Sequence, residues 1–219
     1  MFVSISSPVN IKLQAQIRYR TILDQFKVLR ALRNGIVCFS WAARGRGAPF
    51  PPAIKQAMLR DIAERHRLEL LVETGTYFGD TSAGLASSFR LVYTIEAAKQ
   101  LFDAVDLRFR NVPNVKRYYG DSGNVLNTVL PLLDGPALFW LDAHAQGYAA
   151  SGEANPILRE VRAITSNPGY NHVLAIDDVR LFGENSEYPI FRELREAVVG
   201  KCQMVTIADI AIVCLKDRG

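Results

Sequence analysis

From Leu68 onward, β-rich apolar runs alternate with amphipathic segments, and few folds accommodate that alternation. The runs are LELLVETG (68–75), LVYTIE (91–96), VKRYYGD (115–121), ALFWLDAH (137–144) and HVLAIDDV (172–179). Between them stand helical candidates at Thr81–Phe89, Lys99–Arg110, Ser122–Leu133, Pro156–Ser166 and Ser186–Val199. Connections of this length cross over between parallel strands, whereas an antiparallel pair needs only a tight turn. Near-continuous apolar runs suit strands covered on both faces. Right-handed βαβ crossovers then make a doubly wound α/β sheet the default. At the far end, QMVTIADIAIVCLK (203–216) holds two strand-like runs with only Ala208–Asp209–Ile210 between them. No helix fits there, so the last strand is expected to return antiparallel as a hairpin and close a mostly parallel sheet of seven strands.

The first 54 residues follow another pattern. Asn10–Asn34 carries Ile11, Leu13, Ile17, Ile22, Phe26, Leu29 and Leu32 interleaved with Lys12, Arg18, Arg20, Lys27, Arg30 and Arg33. This reads as a basic amphipathic helix that Gly35 could stop. A loop, ARGRGAPFPP (43–52), follows, and Pro52 opens a further helix to about Arg67. The net charge of +4 hides an asymmetry. Residues 1–60 hold ten Lys or Arg against one acid, Asp24, while the remainder holds sixteen against twenty-one. The expected organisation is a basic helical extension or lid over 1–54 and an enzyme-like domain over 55–219. No run of eighteen apolar residues spans a membrane. With no secretion-type N-terminus and three scattered cysteines (Cys38, Cys202, Cys214), a reduced cytoplasmic protein is expected.

The segment Glu73-Thr74-Gly75-Thr76-Tyr77-Phe78-Gly79-Asp80-Thr81 leaves the first strand and enters a helix. Glycines 75 and 79 let the backbone turn tightly and approach a ligand, and the helix presents its positive end. The second strand ends in Glu96, placed where an acid can hold ribose hydroxyls. The third ends in Asp121-Ser122 and the fourth in Asp142. Ligands of open α/β sheets bind beyond the carboxyl ends of the strands, and here four strands end in an acid. One such acid is readily a helix N-cap; four in series point to a site. NAD is the cofactor alternative. The turn lacks the G-x-G-x-x-G pattern, and Glu73 would repel a diphosphate while offering a partner to an ammonium.

These motifs resemble class I, Rossmann-like S-adenosylmethionine (SAM)-dependent methyltransferases. The resemblance is to a bacterial group with E-T-G-T-Y-x-G-D, G-D-S-G, L-F-W-L-D-x-H and I-D-D-x-R-x-F, and it runs from about Phe50 onward. It implies a cofactor site of Glu73, Gly75, Thr76, Tyr77, Gly79, Thr81, Glu96, Asp121, Ser122 and Asp142. Glu73 and Gly75 would lie near the methionine part, Glu96 on the ribose, Asp121 and Ser122 near the adenine, and Asp142 beside the reacting centre.

Asp142 after the fourth strand and Asp177-Asp178 after the fifth can converge, because adjacent strands lie about 5 Å apart. Three carboxylates suit Mg²⁺ better than zinc. The arrangement resembles metal-dependent O-methyltransferases of the catechol and macrolide-sugar types, in which the metal binds substrate oxygens. It departs from the first at Ala145, where that type has lysine, and from the second at His144, where that type tends to have an acid. His144 inherits the role of general base by position, with Asp142 as the other catalytic candidate. Asp177 or Asp178 can instead cap the next helix or pair with Arg180, and His144 can merely orient Asp142. His66 and His172 read as structural.

The activity expected is O-methylation of a hydroxylated small molecule, such as a sugar or secondary metabolite, with Mg²⁺ assistance. The alternatives are a non-catalytic cofactor-binding or scaffolding protein and an NAD-dependent oxidoreductase. The basic N-terminal helix could cover the site, form a homodimer, lie weakly on an anionic membrane surface, or pack with its charges solvated. Nucleic acid is not an expected partner, because only Tyr19, Phe26 and Trp41 interleave with the bases and no nucleic-acid motif is present.

Overall fold

The computed structural model describes residues 8–142, 156–166, 169–184, 188–198 and 202–215. Seven strands are β1 (Leu70–Thr74), β2 (Leu91–Glu96), β3 (Val115–Tyr119), β4 (Ala137–Leu141), β5 (Val173–Ile176), β6 (Cys202–Ile207) and β7 (Ile210–Leu215). The helices are α1 (Pro8–Gln25), α2 (Lys27–Ala43), α3 (Pro52–His66), α4 (Asp80–Leu85), α5 (Lys99–Ala104), α6 (Asp106–Phe109), α7 (Ser122–Val129), α8 (Ile157–Ser166) and α9 (Phe191–Val198). The strands form one sheet in the order β3-β2-β1-β4-β5-β7-β6. β1 to β5 are mutually parallel where they pair, and β7 runs antiparallel to both β5 and β6. The expected α/β sheet closed by a hairpin is therefore present. The hairpin turn is only Ala208-Asp209, both at positive φ (50° and 68°), as a two-residue turn matching strand twist requires. Ile210 already belongs to β7.

Side chains alternate between the faces of each strand, so each face needs its own cover. Leu71, Val92, Leu138 and Trp140 meet Leu59 and Ile62 of α3, Leu85 of α4 and Leu101 of α5. Leu70, Val72, Phe139 and Leu141 meet Leu126 and Val129 of α7, Val161 and Ile164 of α8 and Leu194 of α9.

The N-terminal reading needs one correction. The helix over 10–34 is two helices, broken at Phe26, which takes an extended conformation (φ −114°, ψ 90°), and Gly35 sits inside α2. A glycine in an exposed helix costs about 1 kcal/mol, which weakens a helix without stopping it. α1 is packed on the domain, with Leu13 and Ile17 buried in the same cluster as the sheet. It is also tied by charge: Arg108 donates to Asp24 (2.6 Å) and to Asp80 (2.7 Å), and Arg20 donates to Asp80 (3.2 Å). Both arginines outweigh burial and hold the Asp80 carboxyl below its usual range. Among the described residues no helix is long and apolar enough to cross a membrane.

Candidate active site

The parallel register aligns the carboxyl ends of β1 to β5 along one edge, and the sequence places an acid at each. Glu73 lies opposite Thr94 and Trp140, one residue before the end of β1. Beyond the strand ends the ladder continues one step. Asp142 N–H donates to the Thr74 carbonyl (3.2 Å) and Asp177 N–H to that of Leu141 (3.1 Å), fixing these two backbones side by side.

The turn after β1 is built as the glycines suggested. Gly75 (φ 85°) and Gly79 (φ 75°) take the left-handed conformation, and Tyr77 joins them (φ 49°). Gly79 has a second reason to be glycine: a Cβ there would lie 2.6 Å from the Phe109 ring. Gly75 N–H donates to the Ile95 carbonyl (2.9 Å), which stitches the turn to β2. Glu96 stands at its centre, accepting from the backbone N–H of Tyr77 and of Ala98, each at 2.8 Å. Burial nonetheless pushes its carboxyl above the usual range. A carboxylate offers about four acceptor sites, so it has capacity for a further donor, such as a ribose hydroxyl.

Glu73 is more deeply placed. Its carboxyl accepts from Ser82 at the start of α4 and from Thr94 (2.7 Å), and Thr94 in turn bonds Thr76 (2.6 Å). Burial raises it to about 8, against the pull of Ser82, Thr94 and Thr81. Asp121 caps α7 by accepting from Asn124 N–H (3.1 Å) and is gripped bidentately by Arg159 of α8 (3.0 and 2.9 Å). Ser122 is buried and donates to Glu160 of α8. Burial holds Glu160 at about 7, with Ser122 and Thr74 opposing.

The second constellation is brought together. One carboxylate oxygen each from Asp142, Asp177 and Asp178 lie within 4.8 Å of one another. The sequence reading missed what else is there. Lys55, on the first turn of α3, places its ammonium on Asp177 and 3.8 Å from Asp178, above the Trp140 ring (5.9 Å to the centroid). Burial works against the Lys55 charge, yet Asp177, Asp142 and Asp178 together raise its pKa. Burial and the charges of Asp142 and Asp178 push Asp177 up to about 7, although Lys55 pulls it down. One contribution is common to both shifts: three carboxylates around one ammonium leave excess negative charge, which makes both groups hold their protons more tightly, and for Asp177 it adds to the larger effect of burial. Asp178 also accepts from Arg180 (2.7 Å), the ion pair allowed for in the sequence.

His144 and Ala145 lie outside the described residues, so the structure places no base from 143–155. His172 is structural as expected: its Nδ1 accepts from Ala137 N–H (3.1 Å), and burial lowers its pKa to about 4. Lys55 and Glu160 had a legible signal. Lys55 lies four residues before buried Leu59, and Glu160 falls on the Ile157–Val161–Ile164 stripe, so each is a charge on an apolar helix face.

No family model matches the chain. A protein-L-isoaspartate O-methyltransferase of Burkholderia pseudomallei is 36% identical over 72 residues, covering 32% of this chain and 22% of that relative's length. The fold compares more widely. An O-methyltransferase from Bacillus cereus, solved with SAH, superposes with a TM-score of 0.60 at 13% identity, over 98% of this chain and 94% of that one. The amino pentose methyltransferase CalS10 of Micromonospora echinaspora, SAM-bound, gives 0.57 at 14% identity, over 81% and 96%. The O-methyltransferase TomG of Streptomyces achromogenes, in complex with SAM, gives 0.56 at 18% identity, over 77% and 81%. The chain thus has the class I methyltransferase fold.

Proposed function

We propose that the chain is a SAM-dependent methyltransferase that methylates a hydroxyl of a small-molecule acceptor, with a sugar or a secondary metabolite as the class of substrate. The observation that carries this reading is the acidic edge of the sheet: Glu73, Glu96, Asp121, Asp142 and Asp177 end five adjacent parallel strands. An edge of acids suits a ligand bearing an ammonium and a sulfonium better than the diphosphate of NAD, although Glu73, raised to about 8 by burial, serves there as a hydrogen-bond partner more than as a charge. Glu96 is preset for a vicinal diol, because two backbone N–H groups hold its carboxylate. Asp121 is the less available partner, since Arg159 already occupies both its oxygens.

When bound, SAM supplies an electrophilic methyl group. The protein's part is to hold the acceptor hydroxyl in line and take its proton. Asp142, which follows β4, and His144 are the residues proposed from the sequence for that role, His144 as the base. The donor set of Asp142, Asp177 and Asp178 is hard and close enough for Mg²⁺. Lys55 competes for the same carboxylates, so a divalent cation would have to displace its ammonium from Asp177.

Calorimetry tests the cofactor. Micromolar binding of SAM or SAH is expected, with no comparable NAD binding, and Glu96→Ala should weaken it by about 1–3 kcal/mol. Tighter NAD binding would overturn the assignment. Transfer assays with and without chelator then test the metal: full activity in excess chelator would leave the three aspartates as partners of Lys55 and Arg180.

A further inference from the structure

α2 is an amphipathic helix turned inside out. Its half-buried positions, among them Arg30, Asn34, Cys38 and Trp41, recur at helical spacing and face the domain. The opposite stripe carries Val28, Leu32, Ile36 and Phe39, exposed by 71%, 59%, 70% and 77%. No residue of this 17-residue helix is buried. The outer side of α1 continues the apolar surface with Ile11, Tyr19 and Ile22, and Phe26 at the break joins the two helices. Among the described residues, ten of the eighteen large exposed hydrophobic residues lie between positions 11 and 39, so this is one patch and not the scatter normal for a protein surface.

Charge decides what covers it. Lys12, Arg18, Lys27, Arg44 and Arg46 are exposed on the two helices and the loop after them. The single acid of the segment, Asp24, is committed to Arg108 and Arg30. A second copy of the chain would bring an equally basic surface against this one, and like charges would oppose it. An anionic bilayer supplies what is missing: an apolar layer for the stripe and negative headgroups for the bases. We propose that α1 and α2 form a docking surface for an anionic phospholipid membrane, with the Val28–Phe39 stripe inserted at the headgroup–acyl boundary.

Vesicle flotation of the full chain tests this. Binding is expected to mixed phosphatidylcholine–phosphatidylglycerol vesicles, weakening with salt, and to be much weaker on phosphatidylcholine alone. Ile36→Glu with Phe39→Glu should reduce binding about tenfold or more and leave the melting temperature unchanged, because neither side chain is buried. Lys12→Glu with Lys27→Glu should weaken binding to anionic vesicles while leaving the stripe intact. Absence of binding to anionic vesicles would overturn the proposal, as would binding indifferent to vesicle charge. So would a dimer in sedimentation equilibrium that the Ile36→Glu, Phe39→Glu variant dissolves.

Discussion

Replacing Lys55 by Met removes the ammonium that Asp177 and Asp178 share and keeps most of the stem over Trp140. Breaking a buried ion pair costs about 3–5 kcal/mol when the partner's charge is left stranded. Asp177 has an escape, because its carboxyl already sits at about 7 with Lys55 present. Without the ammonium it rises further, so in mild acid it is neutral and no charge is stranded. The sign follows from linkage. A carboxyl whose pKa is raised by folding favours the native state at low pH, and that contribution is lost as pH climbs from the ordinary carboxylate range through about 7. Lys55→Met should therefore cost about 1.5–3 kcal/mol near pH 5.5, the scale of a lost hydrogen bond to a charged group. Near pH 8.5 the cost should reach about 3–5 kcal/mol. Urea unfolding followed by circular dichroism at the two pH values measures both. If the three carboxylates can hold a divalent cation, Mg²⁺ should restore part of the loss in the variant at the higher pH. Equal destabilisation at both pH values would refute the reasoning, since Asp177 would then carry no titrating charge.

Other substitutions probe the remaining elements. Gly79→Ala combines a left-handed backbone with a contact at 2.6 Å to Phe109, and should cost roughly 2–4 kcal/mol in denaturant melts. Arg108→Ala leaves Asp24 only with Arg30 and Asp80 only with Arg20 beneath α1; a loss of about 1.5–3 kcal/mol, the scale of a lost hydrogen bond to a charged group, is expected, with earlier proteolysis of α1. Glu160, held at about 7 by burial, destabilises the native state as pH rises through that value. Glu160→Gln should thus melt higher than the parent at pH 8, by about 1–3 kcal/mol, and nearly level with it at pH 5.

The sheet was legible because its central strands β1, β4 and β5 are apolar almost throughout and its crossovers long. β2 spans LVYTIE as the sequence suggests, and the five parallel strands keep their acids at one edge. Less legible was the commitment of those acids. Nothing local to Asp121 announces Arg159, thirty-eight residues away, and nothing near Asp177 announces Lys55, on a helix that precedes the whole sheet. Such pairs are products of topology. Gly35 misled because glycine ends helices only where the chain has another conformation to favour, and α2 is helical on both sides of it. Phe26, where the break does fall, is no breaker by type. The pairing of Arg108 with Asp24 and Asp80, by which α1 sits on the sheet domain, likewise has no sequence signature.

The placement of β7 has a consequence for synthesis. β7 is made after β6 yet lies inside it, hydrogen-bonded to β5 on one side and β6 on the other. While residues 210–215 are still within the ribosome, β5 presents an open edge and β6 lacks its partner. A chain stopped just after β6 would therefore forfeit two strands and not one. It would also expose the faces that Ile210, Ala211 and Val213 cover, all fully buried in the finished sheet. An unpaired β5 edge of this kind is a template for the wrong strand. The interval between the emergence of β5 and that of β7 is thus when a nascent chain of this topology is most in need of a chaperone.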